Sequence, residues 1–204
     1  KLNESVQVNS HIDSLIRPYK DSLSSEMNVV IAEATTDFIV GRPGSNLGNW
    51  VADAIFVNQT RTVRLSEPVF VLLNTGGLRA SLNKGSITVG DIFKLMPFDN
   101  ELVWVKLPMS VLPVIQAYIQ KTGGEPISNA QVEKGVLKLN GGKESATHFW
   151  VITSDYLKNG GDKMTFFSKS EDVILTGKVI RDCLIDEAKG QGVLIEDSVI
   201  RIHF

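Results

Sequence analysis

The sequence predicts an α+β (mixed α/β) fold, a single compact domain with a mixed β-sheet flanked by helices. Two observations predict it. Stretches with apolar residues at i, i+3, i+4 spacing are interspersed with short Val- and Ile-rich runs, without strict alternation of the two. The 204 residues carry no internal repeat or low-complexity linker, and 43% hydrophobic with 22% charged residues suits one well-filled core. The domain is taken as residues 1–204, with 1–27 an N-terminal helix and 28–204 the main body.

In residues 11–27, Ile12, Leu15, Ile16, Tyr19 and Leu23 recur at helical spacing around Pro18, which predicts one amphipathic helix. Residues 28–40, rich in Val, Ile and Thr, read as strand until the loop Gly41-Arg42-Pro43-Gly44-Ser45 interrupts. Ser45 or Asn46 then caps a second helix whose Leu47, Trp50, Val51, Ala54, Ile55 and Asn58 share one side. Residues 69–73 are an apolar run ending abruptly at Asn74-Thr75-Gly76-Gly77, the pattern of a buried strand entering a functional loop. Thr88-Val89-Gly90-Asp91 has the spacing of a capping box and opens a short helix that stops at Pro97. Residues 101–107 form a further strand, and 110–121 a helix that tolerates Pro113 in its first turn. Residues 135–140 before Gly141-Gly142 read as a strand entering a hairpin, with 147–153 as its partner or a neighbouring strand. After the polar, Gly-rich loop 154–162, residues 179–188 form a helix ended by Gly190, and the alternation in 192–204 predicts a closing strand.

Twenty-one Lys and Arg against 23 Asp and Glu leave a net charge of −2, without the basic excess that nucleic acid attracts. Apolar runs such as 68–73 and 102–105 fall far short of the ~18–20 residues a membrane-spanning helix needs. Cys183, the single cysteine, lies among apolar residues and reads as a small buried hydrophobe. The chain opens at Lys1 rather than Met, as expected where a targeting segment has been removed or a boundary chosen. His11, His148 and His203 are isolated, so no local zinc motif is formed. Serine-elbow, phosphate-loop and dinucleotide-loop motifs are also missing, which leaves chemistry to residues dispersed along the chain.

Two loops carry the informative residues. In Asn74-Thr75-Gly76-Gly77-Leu78-Arg79, Gly76 and Gly77 let backbone N–H groups approach a ligand, and Arg79 suits a carboxylate or phosphate. In residues 154–162, Tyr156 offers a stacking face and Asp162 an acceptor for vicinal hydroxyls across a Gly-Gly turn. Phe98, in Pro97-Phe98-Asp99-Asn100, reads as core or as a second ligand platform. Asn46 and Asp53 are read as serving the helix start and local packing.

Segments 45–54, 74–79, 85–91, 96–100 and 156–162, in that order along nearly the whole chain, resemble the C-terminal domain of the 5′-nucleotidase family, which includes UDP-sugar hydrolases. The resemblance implies a nucleotide-binding half that presents phosphate to two metals on an N-terminal metallophosphoesterase domain. It implies that Phe98 and Tyr156 sandwich the base, Asp162 holds the ribose hydroxyls and Asn74 contacts base or substrate. It directs Arg79 at the phosphate and makes Arg42 a further substrate-binding arginine. The implied ligands are a nucleoside 5′-monophosphate, a nucleoside or a nucleotide sugar, and the implied setting is periplasmic or exported, surface attachment included.

The sequence departs from the family pattern in three places. Thr75 enters where Asn-Gly-Gly-Gly is usual, and Tyr156 adds a hydroxyl where phenylalanine is commoner. The D-x-H, G-D-x-x-D and G-N-H-[DE] metal motifs are all missing. The chain is therefore expected to carry no catalytic residue, metal or cofactor of its own, with Zn or Mn held by a partner domain or chain. The alternative is a stand-alone nucleoside- or nucleotide-binding or interaction module with no part in hydrolysis.

Overall fold

The computed structural model describes residues 10–63, 66–141 and 145–204. Lys1 and Gly142 lie outside them. Helix α1 (Ser10–Met27) forms where the spacing predicts it, but Ile12, Leu15, Ile16, Tyr19 and Leu23 are each more than half exposed. Strand β1 (Val30–Ala34) is shorter than the expected 28–40 because Asp37 turns the chain: its carboxylate accepts from the Lys84 N–H at 2.7 Å and its carbonyl from the Asn46 amide at 2.8 Å. Ser45 caps α2 (Asn46–Thr60), its hydroxyl accepting from the Gly48 N–H at 3.0 Å. Strand β2 (Val69–Leu72) is buried throughout, and β3 (Gly85–Thr88), unassigned from sequence, leads into α3 (Val89–Leu95). The capping box there is complete: Asp91 N–H donates to the Thr88 hydroxyl and Thr88 N–H to the Asp91 carboxylate. Strand β4 (Glu101–Pro108) and helix α4 (Leu112–Thr122) follow, the helix ending on Gly123 in the left-handed region.

Strands β5 (Ile127–Ser128) and β6 (Ala130–Glu133) carry no sequence signal strong enough to have been expected. Strand β7 (Val136–Leu139) lies within the expected 135–140, but it pairs back onto β6 rather than forward across Gly141. The reason is local: Lys134 and Gly135 both sit at positive φ, 49° and 75°, and such a two-residue turn matches strand twist. Strand β8 (His148–Ser154) is accordingly no hairpin partner of β7. It runs parallel to β2 and antiparallel to β4. A single helical turn, α5 (Asp155–Lys158), opens the loop at 154–162, and β9 (Asp172–Val179) is a further unexpected strand, paired with β4. Helix α6 (Ile180–Gln191) continues past Gly190 and ends at Gly192, whose φ is +67°. Of residues 192–204 only β10 (Val193–Leu194) is regular strand. Beyond it the chain is anchored by Arg201, which donates to Asp53, Asp197 and the Ile127 carbonyl. Asp53 also accepts from the Ser128 hydroxyl, so it serves packing as expected.

The main sheet has the order β5-β2-β8-β4-β9; β10-β1-β3 form a second sheet and β6-β7 a hairpin. Alternation along the strands divides the core in two. Val69, Val71, Leu102, Trp104, Trp150 and Ile152 pack with α2 and α6 residues, whereas Phe70, Leu72, Val103, Val105, Phe149 and Val151 pack with α4, Phe166 and Phe167. Each such side chain contributes roughly 1.5–3 kcal/mol on burial, so a one-residue slip, which would exchange the faces, is strongly disfavoured.

That register positions the functional loops. Val71 lies opposite Ile152 in the parallel pair and Leu102 opposite Ser154 in the antiparallel pair. The ends of β2 and β8 and the beginning of β4 therefore emerge at one edge of the sheet.

Candidate functional site

Three segments meet at that edge around a cavity of about 350 Å³. Asn74, Gly76, Gly77 and Arg79 come from the loop after β2, Phe98 and Asn100 from the turn before β4, and Tyr156 and Asp162 from the loop after β8. Seven of the eight residues singled out from sequence thus line one space. Arg42 does not, and Asn100, adjacent in sequence to the Phe98 turn, was not singled out.

Each wall has a local cause. In the first loop, Asn74 folds back over Gly77 so closely that a Cβ there would lie 2.8 Å from Asn74 Oδ1. In the second, Ser154 caps α5 by accepting from the Leu157 N–H at 3.1 Å, which turns Tyr156 outward to 47% exposure. The Tyr156 ring lies flat against Gly161, where a Cβ would come within 2.4 Å of ring carbon Cε1. Asp162 adopts φ 49°, ψ 26°, a left-handed conformation that Asp tolerates better than most residues. Phe98 is 46% exposed, so it stands at the cavity rather than in the core.

Asp162 is the polar centre. Its Oδ2 accepts from the Asn74 amide at 2.6 Å and its Oδ1 from the Tyr156 hydroxyl at 3.0 Å. A carboxylate offers about four lone-pair sites, so each oxygen retains capacity for another donor. The Asp162 carbonyl accepts from the Tyr118 hydroxyl at 3.0 Å. Burial, reinforced by the negative charges of Glu125 and Asp162, pushes the Tyr118 hydroxyl up to about 12, which keeps it a neutral donor. Arg79, exposed, donates to the Gly76 carbonyl at 3.3 Å and is the cation of the lining. The site thus combines aromatic surface, a pre-oriented carboxylate and one guanidinium. Among the described residues no group of three or more His, Cys, Asp or Glu is disposed to hold a metal ion.

Arg42 is engaged behind the first loop, with Glu125 at 2.8 Å and the Thr122 carbonyl at 2.7 Å. Tyr118 and Glu125 escaped sequence reasoning. Tyr118 occupies an apolar position of α4, and its partner lies 44 residues away. Glu125 is a buried acid for which no local pattern exists.

Residues 30–112 match the family model described as 5′-nucleotidase, C-terminal domain. A 5′-nucleotidase of Vibrio parahaemolyticus is 29% identical over 195 residues, spanning 83% of this chain and 32% of that protein. Among solved structures, a 5′-nucleotidase precursor from Thermus thermophilus superposes with a TM-score of 0.73 at 23% identity, covering 95% of this chain and 43% of that one. The NAD nucleotidase of Haemophilus influenzae gives 0.70 at 16% identity, covering 95% and 41%. The chain spans less than half the length of these relatives. With the family model matched from β1 to the start of α4 and the fold shared over almost the whole chain, the chain is similar to the C-terminal domain of the 5′-nucleotidase family.

Proposed function

We propose that this chain is the nucleotide-binding half of a 5′-nucleotidase-type phosphohydrolase. A nucleobase stacks between Phe98 and Tyr156, the ribose hydroxyls donate to the free lone pairs of Asp162, and Arg79 faces the phosphate. The residues of this chain bind and orient; cleavage of the phosphate ester belongs to a dimetal metallophosphoesterase domain or chain, where Zn or Mn would neutralise charge and activate water. The substrate is a nucleoside 5′-monophosphate or nucleotide sugar, and the protein works outside the cytoplasm. Among the described residues no helix is long and apolar enough to cross a membrane.

The observation that carries this reading is the convergence of Asn74, Arg79, Phe98, Tyr156 and Asp162 on one cavity from three separate stretches of chain. Its volume, about 350 Å³, lies within the range of small-molecule sites. Titration calorimetry with adenosine and AMP tests it. Base stacking is worth ~1–3 kcal/mol, so Phe98→Ala and Tyr156→Ala should each weaken binding about 5- to 150-fold. Undiminished binding in both variants overturns the stacking assignment. Adding the chain to a metallophosphoesterase partner with Mn²⁺ should raise phosphate release from AMP above the partner alone; no gain favours a stand-alone binding module.

A further inference from the structure

Behind the Asn74–Gly77 turn lies a polar cluster that the cavity lining does not use. Glu125 is 3% exposed, so its carboxylate requires internal partners. Its Oε2 accepts from the Thr75 N–H at 2.6 Å and from the Thr75 hydroxyl at 2.8 Å, and its Oε1 from Arg42 Nη2 at 2.8 Å. Arg42 Nη1 donates to the Thr122 carbonyl at 2.7 Å, and Arg42 Nε reaches the Thr75 hydroxyl at 3.4 Å. Every nitrogen of this guanidinium thus has a partner within the protein. The close approach of the two loops is possible only because residue 124 is glycine: it has φ +112°, and a Cβ there would lie 2.0 Å from the Pro43 carbonyl oxygen. The hydroxyl of Thr75 supplies Glu125 with a donor that a glycine could not.

We propose that Arg42 is a positioning residue rather than a ligand contact. It holds Glu125, Glu125 clamps Thr75 by main chain and side chain, and the clamped turn presents Asn74 and the Gly76–Gly77 backbone to the cavity. A buried carboxylate that accepts an N–H bond forms one of the stronger hydrogen bonds available, and it depends on its counter-charge. The consequence is a specificity rule that rests on the nucleoside-binding reading. Arg42 contributes equally to the binding of nucleoside and nucleotide, whereas Arg79 alone distinguishes them.

The test measures amide exchange at Thr75 together with calorimetry for adenosine and AMP, on Arg42→Gln, Glu125→Gln, Thr75→Val and Thr75→Ser. Arg42→Gln and Glu125→Gln should speed Thr75 exchange roughly 10-fold or more with β2 and β8 unchanged, and should weaken both ligands by the same factor. Thr75→Val should act in the same direction with little effect on folding, and Thr75→Ser should restore wild-type behaviour. Unaltered Thr75 exchange in Arg42→Gln, or loss of AMP affinity with adenosine retained, overturns the proposal. If the wild-type chain binds neither ligand, the nucleoside reading fails while the exchange measurement still decides the role of Arg42.

Discussion

Gly161→Ala places one methyl group beneath the Tyr156 ring. The new Cβ would stand 2.4, 2.5 and 2.6 Å from Cε1, Cζ and Cδ1, whereas carbon atoms pack at about 3.5–4.0 Å, so the ring must move by ~1 Å or more. Gly161 is not among the positive-φ glycines, so alanine brings no backbone strain and the effect is confined to the ring. Tyr156 is 47% exposed and has space to swing outward. The cost to the fold is then the hydrogen bond from its hydroxyl to Asp162, ~1 kcal/mol or less at an exposed position, seen as about 2–4 °C in Tm. On the proposed stacking role of Tyr156 the cost to binding is larger, because the platform leaves its place: ~1–3 kcal/mol, or about 5- to 150-fold in Kd for AMP. Calorimetry with AMP on Gly161→Ala, Tyr156→Ala and the double variant gives the assay. The double variant should bind no more weakly than Tyr156→Ala. Wild-type affinity in Gly161→Ala, or penalties that add in the double variant, would refute the claim that Gly161 acts through the ring.

Gly124→Ala meets both a left-handed backbone and the Pro43 carbonyl, whereas Gly123→Ala, at φ +78° with open space around it, meets only the former. Strain of ~1–3 kcal/mol is common to both, so thermal unfolding should show Gly124→Ala as the less stable, and the reverse order would contradict the proposed loop contact. Burial by itself would raise the Asp91 carboxyl, but bonds from the Thr88 hydroxyl, the Thr88 N–H and Lys94 outweigh it and hold the group below its ordinary value. With the folded value lowered, that stabilisation is complete above about pH 4, where the unfolded carboxyl is also ionised, and is lost as pH falls through the folded value. Asp91→Asn should therefore be less stable at neutral pH by ~1 kcal/mol and converge on wild type in acid; parallel stability curves would argue against it. Burial pushes the Cys183 thiol up to about 12, so a thiol-reactive chromogenic disulfide should leave it unmodified until the chain unfolds.

The parts of this protein legible in its sequence are those whose cause lies within a few residues. Ser45 and the Thr88–Asp91 pair cap their helices with their own neighbours. The loops at 74–79 and 156–162 announce themselves by glycines beside Arg79, Tyr156 and Asp162. What escaped depends on distant partners. Strand β9 has a mostly exposed or half-exposed pattern that interrupts the expected alternation, and it is a strand because β4 lies beside it. The alternating residues 192–204 lack a partner strand beyond Leu194, apart from a single bridge from Ile202 to Val132, and Ile195, Val199 and Ile200 remain exposed. Likewise Glu125 acquires its role from Arg42 and Thr75, 83 and 50 residues away.

Because Asn74, Asn100 and Tyr156 each stand one or two residues beyond the hydrogen-bonded ladders of β2, β4 and β8, their separation is measured out by the same register that keeps Phe70, Val103 and Val151 on one face of the sheet. With the Arg42–Glu125–Thr75 clamp intact, the walls of the cavity are tied to the core strands themselves. Loss of the binding geometry and loss of the fold should share one cooperative transition, so that ligand capture fails abruptly at the unfolding midpoint instead of fading as the chain is warmed.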